Sequence, residues 1–243
     1  MESMAQSDPS SDPSPDYVVL NQEVQRLLGR CLLRTQQAER VLKAILTAHQ
    51  VAGSGKDTAS LMKRRAADVA KLGLGDVVDL FFEDVVRVSL GSEEPETKPA
   101  KKKPIGRPGK ATWLPRRQAK AEAAALAAGK PWFATTLIIQ TQREAAQTQQ
   151  RDLKALVALR NRVVHHFSDE YDTRTLQGCE CALMFLTEAD ETLCKYLETI
   201  QTLALNLEEA RVACARAISG PGVLEAILDA VSIARGEDDS HSV

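Results

Sequence analysis

Between Leu20 and Ile45 the apolar residues recur every three or four positions: Leu20, Val24, Leu27, Cys31, Ala38, Leu42 and Ile45. Glu23, Arg26, Arg30, Glu39 and Arg40 fall on other faces. That spacing puts one apolar stripe along an α-helix and is incompatible with the alternation of a strand. Ser14-Pro15-Asp16 supplies a start signal, with proline just inside a cap, and the helix is expected to run to about His49. A stripe of this length must be buried against other elements, so the rest of the chain is expected to supply them.

The remaining segments repeat the theme. Helices are expected over Thr58–Leu72, Val77–Leu90, Arg117–Ala128, Thr141–Phe167, onward to Ile218, and Val223–Ile233. Gly73 and Gly75 mark a turn, Asp169–Asp172 a polar break, and Gly220-Pro221-Gly222 a stop. Trp132–Ile139 is β-prone and reads as a packed connector. The fold class is therefore all-α, an antiparallel bundle of four to five long helices over residues 17–235. Residues 1–16, rich in Ser, Pro and Asp, are expected to be a disordered tail, and 236–243 an acidic one. Residues 91–118 form a Pro/Gly-rich insertion, expected to be exposed and poorly ordered.

Several function classes are excluded or disfavoured. No window offers about 18 uninterrupted apolar residues, so no membrane helix is expected. Met1-Glu2-Ser3-Met4 opens without a basic or apolar leader, which predicts a cytoplasmic protein. Aromatics are 4% of the chain, too few for recognition built on stacking platforms. The five cysteines are expected to be reduced, and Cys179 and Cys181 diverge on a helix rather than form a zinc pair. No cofactor or metal is implied. Gly53-Ser54-Gly55-Lys56 is not a phosphate loop: Gln50 stands where the first glycine belongs and Asp57 where Ser or Thr must reach magnesium. No strand is expected before it, and it reads as a helix–helix connection.

The chemistry-bearing constellation is Arg160-Asn161-Arg162-Val163-Val164-His165-His166-Phe167, late in an expected helix. An arginine with fixed charge suits the charge that develops on a phosphodiester, and a histidine can move a proton at a ribose hydroxyl. On an ideal helix Arg160 and His165 diverge by about 140°. Asn161 and His165, and Arg162 and His166, are neighbours on one face. A purely structural role predicts instead that Arg160 pairs with Glu180 or Glu188 and that His165 caps a helix C-terminus. His165, His166, Asp169 and Glu170 straddle a helix end without defined ligand geometry.

Arg160, Asn161 and His165 resemble the motif of the HEPN superfamily, an Arg followed four to six residues later by His, with a polar residue directly after the Arg. The resemblance implies a metal-independent endoribonuclease on an α-helical bundle. Arg160 and His165 would be catalytic and Asn161 supporting, in a cleft shared by two protomers of a homodimer. It also implies RNA as substrate, a toxin or defence role, and an antitoxin or other protein partner. One toxin group of that superfamily is silenced through a Tyr two residues after the motif His; Phe167 stands there and has no hydroxyl. The alternative is a noncatalytic HEPN-like module for dimerisation, nucleic-acid binding or adaptor work.

Charge patterning bears on that choice. The chain's net charge is −2, but residues 98–120 hold nine basic residues and no acid. Without them the remainder carries −11. Pro104-Ile105-Gly106-Arg107-Pro108-Gly109-Lys110 resembles an AT-hook, with Ile105 in place of the usual first Arg. Lys101, Lys102, Lys103, Arg107 and Lys110 are the candidate nucleic-acid contacts, against the plainer reading of a solubilising linker. Any catalytic cleft in the acidic body needs its own positive field, with Arg160 and Arg162 as candidates.

Overall fold

A computed structural model describes residues 14–53, 57–88, 120–125, 127–128, 133–218 and 222. Residues 1–13 of the expected N-terminal tail, the acidic tail, the whole 91–118 insertion and the 223–233 helix lie outside these residues, whereas Ser14–Asp16, expected in the disordered tail, cap and begin the first helix. Helix α1 spans Pro15–Ala48. Ser14 Oγ accepts the Tyr17 N–H at 3.3 Å, Pro15 fills the first turn and Asp16 meets the positive helix end. Its buried residues are Val24, Leu27, Cys31, Thr35, Ala38, Leu42, Ile45 and Leu46. Each fully buried Leu or Ile in that stripe stabilises the fold by about 1.5–3 kcal/mol.

The other long helices are α2 (Thr58–Ala70), α3 (Leu74–Asp84), α4 (Arg143–Asn161) and α6 (Leu176–Ile218). One π turn, Arg162–His166, and the short helix α5, Phe167–Glu170, follow α4. Residues 120–125 are helical within the segment expected to be so. Helix α2 runs back along α1: Arg65 Nε donates to the Leu46 carbonyl at 3.0 Å, and Lys43 Nζ to that of Ala70 at 3.0 Å. Helix α4 runs against α6. The Arg162 guanidinium lies over Phe185, while Asp152 acts electrostatically on Tyr196 farther along.

The largest helix interface is between α1 and α6, and these two run parallel. Tyr17 and Asn21 donate to the Thr173 carbonyl just before α6, Cys31 Sγ to that of Leu186, and Arg34 to that of Asp190. Among the described residues the long helices α1, α2, α3, α4 and α6 alternate in direction, which leaves α1 and α6 pointing the same way. The start of α6 is tight: Thr175 Oγ1 accepts the Gly178 N–H at 3.0 Å, and any Cβ at 178 would collide with the Asp172 carbonyl oxygen.

Four short strands close one end. β1 (Gln50–Gly53) pairs antiparallel with β3 (Phe133–Thr136), and β2 (Val86–Val88) pairs parallel with β4 (Ile139–Thr141). The helix expected over Val77–Leu90 therefore stops at Asp84. Val85 and Val86 are buried, and the Val85 carbonyl accepts from Ile139 N–H at 2.8 Å. β-Branched residues lose little in an extended backbone, and here that backbone gains a ladder. The connector 132–139 supplies the partners: Leu137 N–H also reaches the His49 carbonyl at 2.7 Å. A strand thus does precede Ser54–Lys56, residues that are themselves outside the described set. The exclusion of a phosphate loop stands on Gln50 and Asp57.

One buried acid joins α1 to α6. Asp190 is 7% exposed. Its Oδ2 accepts from Arg30 Nη2 at 2.8 Å, and its Oδ1 lies 2.8 Å from Arg34 Nη1 as an ion pair, the Arg34 hydrogen bond going to the Asp190 carbonyl. Asp190→Ala leaves two arginines facing an apolar seam, so unfolding by urea should show a loss of about 2–4 kcal/mol, at the low end because both arginines reach solvent. Arg30→Ala, which leaves Arg34 in place, should cost under about 1 kcal/mol.

Candidate active site on the π turn

Helix α4 reaches Asn161 with Leu153 and Leu156 buried against the core. The backbone then widens into the π turn before returning to α geometry at Phe167. Val163 and Phe167 turn into the core, while Val164, His165 and His166 face outward. Bonding between residues five apart makes such residues neighbours, which an α-helix does not. The consequence is a correction to the ideal-helix expectation: Arg160 and His165 meet. Arg160 Nη1 donates to His165 Nε2 at 2.9 Å and lies 3.1 Å from Asn161 Oδ1, which accepts from it.

An arginine has no acceptor to offer, so in this contact His165 Nε2 presents its lone pair. Arg160 is half-buried, and its hydrogen bonds among the described residues go to Asn161 and His165, with neither Glu180 nor Glu188. His165 does not end the helical run, which continues to Glu170. The three residues singled out in sequence are thus in one place, His165 exposed and Arg160 and Asn161 half-buried, and among the described residues no acid pairs with the arginine.

Arg162 is differently engaged. Its Nε donates to Glu170 Oε2 at 2.6 Å and its Nη2 to the Tyr171 hydroxyl at 3.0 Å. Its guanidinium lies 4.2 Å over the Phe185 ring. The Glu170 bond holds Arg162 above its ordinary basicity. The positive field expected from Arg160 and Arg162 together therefore falls to Arg160. Glu170 is occupied by this bond, and among the described residues no group of three His, Cys, Asp or Glu is placed to hold a metal. Lys101, Lys102, Lys103, Arg107 and Lys110 lie outside the described residues. No described helix is long and apolar enough to cross a membrane. Cys179 is buried and Cys181 exposed, diverging as expected; burial pushes the Cys31 thiol up to about 11.

A second Arg–His cluster has no sequence signal beyond a histidine at a helix end. His49 is 3% exposed. Its Nδ1 lies 2.9 Å from the Leu46 carbonyl, and Arg65 Nη2 lies 3.3 Å from both ring nitrogens. Arg65 also bonds Gln50 Oε1 at 2.7 Å. His49 itself borders a cleft of about 130 Å³, with Ile45, Leu137 and Leu207 on its apolar wall and Glu208 and Arg211 as its charged lining. The partners come from α1, α2 and β1, so only the folded chain assembles them.

Searches of protein-family models, curated proteins and solved structures find no match to this chain.

Burial, reinforced by Arg65, pushes the His49 ring down to about 4. The unfolded chain therefore binds this proton more readily, and stability is complete above about pH 6.5 and lost as pH falls toward 4. The loss should reach about 2–3 kcal/mol by pH 4.5. Burial raises the Asp84 carboxyl, which opposes this just above that group's ordinary range. Urea unfolding at pH 7 and pH 4.5 isolates the histidine when compared with His49→Gln, whose stability should fall less between the two.

Proposed function

We propose that this chain is a metal-independent endoribonuclease of HEPN type. The observation that carries the proposal is the 2.9 Å contact of Arg160 with His165 on an exposed turn, supported by Asn161. A phosphodiester entering this site would draw the Arg160 guanidinium onto a non-bridging oxygen, where charge grows in the transition state. That movement frees His165 Nε2 to take the proton of the ribose 2′-hydroxyl. The 2′-oxygen attacks phosphorus, the bond to the 5′-oxygen breaks, and the products are a 2′,3′-cyclic phosphate and a 5′-hydroxyl. The leaving 5′-oxygen needs a proton, which the second His165 across a homodimer cleft would supply if it enters the step as the imidazolium, its proton restored from water as the first His165 releases the one it took. Asn161 Oδ1 orients the guanidinium. No step requires a metal or cofactor.

The same reading extends to a cytoplasmic toxin or defence role with an antitoxin-like protein partner. The basic segment 98–120 would raise the local concentration of RNA beside an acidic helical body.

Purified full-length chain should cut single-stranded RNA in EDTA and leave 2′,3′-cyclic ends. Arg160→Ala and His165→Ala should each lower the rate by roughly 100-fold or more, and Asn161→Ala by about tenfold. No cleavage by the wild type, or full cleavage by both variants, overturns the proposal. RNA binding that survives His165→Ala, weakens with salt and vanishes on deletion of 98–120, with no cleavage, would identify a noncatalytic binding module instead.

A further inference from the structure

We propose that Arg162 is the positioning residue of this site: its clamp on Glu170, Tyr171 and Phe185 holds the π turn that sets Arg160 against His165. The catalytic consequence rests on the endoribonuclease reading; the geometric claim does not.

A π turn is a rare interruption of an α-helix, and relaxation to α geometry would return Arg160 and His165 to about 140° apart. Something must hold the turn open. On the core side, buried Val163 and Phe167 anchor it. On the outer side, Arg162 is the first residue of the turn and reaches past its end, to Glu170 at 2.6 Å and Tyr171 at 3.0 Å. From α6, Phe185 lies under the guanidinium at 4.2 Å. Tyr171 stacks on Phe185 with centroids 5.2 Å apart and planes 17° apart, and Phe167 packs on Tyr171 at 5.3 Å. This column joins the first residue of the turn, the residue after it, the end of α5 and the last helix. A shift of one residue in the turn would pull Arg162 off all three partners.

Arg162 is the more heavily engaged of the two arginines in this arrangement. Its Nε and Nη2 donors are taken, and a phosphate would compete with Glu170 for them. Arg160 is held by an amide oxygen and an imidazole, both weaker competitors for an anion.

The test uses the full-length chain labelled with ¹⁵N, reading the His165 ring nitrogens. His165→Gln assigns the signals, and Arg160→Lys defines the signature of a lost contact. Arg162→Ala should move the His165 signals to the Arg160→Lys position while far-UV circular dichroism stays unchanged. Phe185→Leu and Glu170→Gln should move them partway. RNA cleavage by Arg162→Ala should fall roughly 10–100-fold in kcat with KM within about twofold. A folded Arg162→Ala chain with the wild-type His165 signature overturns the proposal. If Arg162→Ala does not fold, Glu170→Gln decides in the same way, because it keeps the aromatic column. If the wild type cuts no RNA, the endoribonuclease reading fails, and the ring signature still decides the role of Arg162.

Discussion

The apolar stripe of α1 is the surface on which the rest of the chain is assembled. Leu42 and Leu46 are fully buried, and α2, α3, the π turn and α6 all pack on this helix. Burial alone is non-directional and would let α6 slide along the stripe. Register is fixed by polar contacts that tolerate no slip. Arg30 and Arg34 are one helical turn apart and grip the same carboxylate, so a shift of α6 by one turn would leave Asp190 with at most one partner. Thr173 does the same at the other end, where its carbonyl accepts from Tyr17 and Asn21. The parallel sense of these helices follows from chain connectivity, and the polar pairs convert it into a defined alignment.

That alignment reaches the candidate site through α6. Phe185 is one residue from Leu186, whose carbonyl accepts from buried Cys31. The ring beneath Arg162 is therefore fixed relative to α1. A site on one π turn of an exposed helix would otherwise lack support, since helix termini and surface turns are the first parts to open. Here its outer side is tied to the helix that is itself tied most firmly to the core. The contacts are divided between two nearby basic residues: Arg162 meets an acid and two aromatic residues, and Arg160 meets neutral groups.

The long helices were legible because their apolar spacing is local information. Every residue of the stripe read between Val24 and Ile45 is buried in α1. The end of α3 was not, because Val85–Val88 suits helix or strand by composition, and the choice is made by Ile139 and Thr141, more than fifty residues away. The site was half legible. Arg160, Asn161 and His165 were identifiable by residue type and spacing, yet an ideal helix separates them. The π turn that joins them depends on Glu170, Tyr171 and Phe185, and Phe185 belongs to a different helix. From sequence Arg162 reads as a second source of positive field beside Arg160; its commitment to Glu170 appears only in three dimensions.

Among the described residues two histidines face an arginine, and the two pairs differ in burial and in their other bonds. His49 and Arg65 are enclosed. The guanidinium already bonds the Leu46 carbonyl and Gln50, and the ring is 3% exposed. His49 borders the small cleft beside it, but a proton on its ring would be opposed by burial and by Arg65. His165 and Arg160 present the same two functional groups at 2.9 Å, but at the surface. Their contact uses one donor of the arginine and one lone pair of the histidine, and an incoming phosphate can replace both. Water and an anionic ligand can reach this pair, so its proton and its charge are available for exchange. Residue type alone makes the two pairs equivalent; burial and competing bonds set His49 and Arg65 apart from Arg160 and His165.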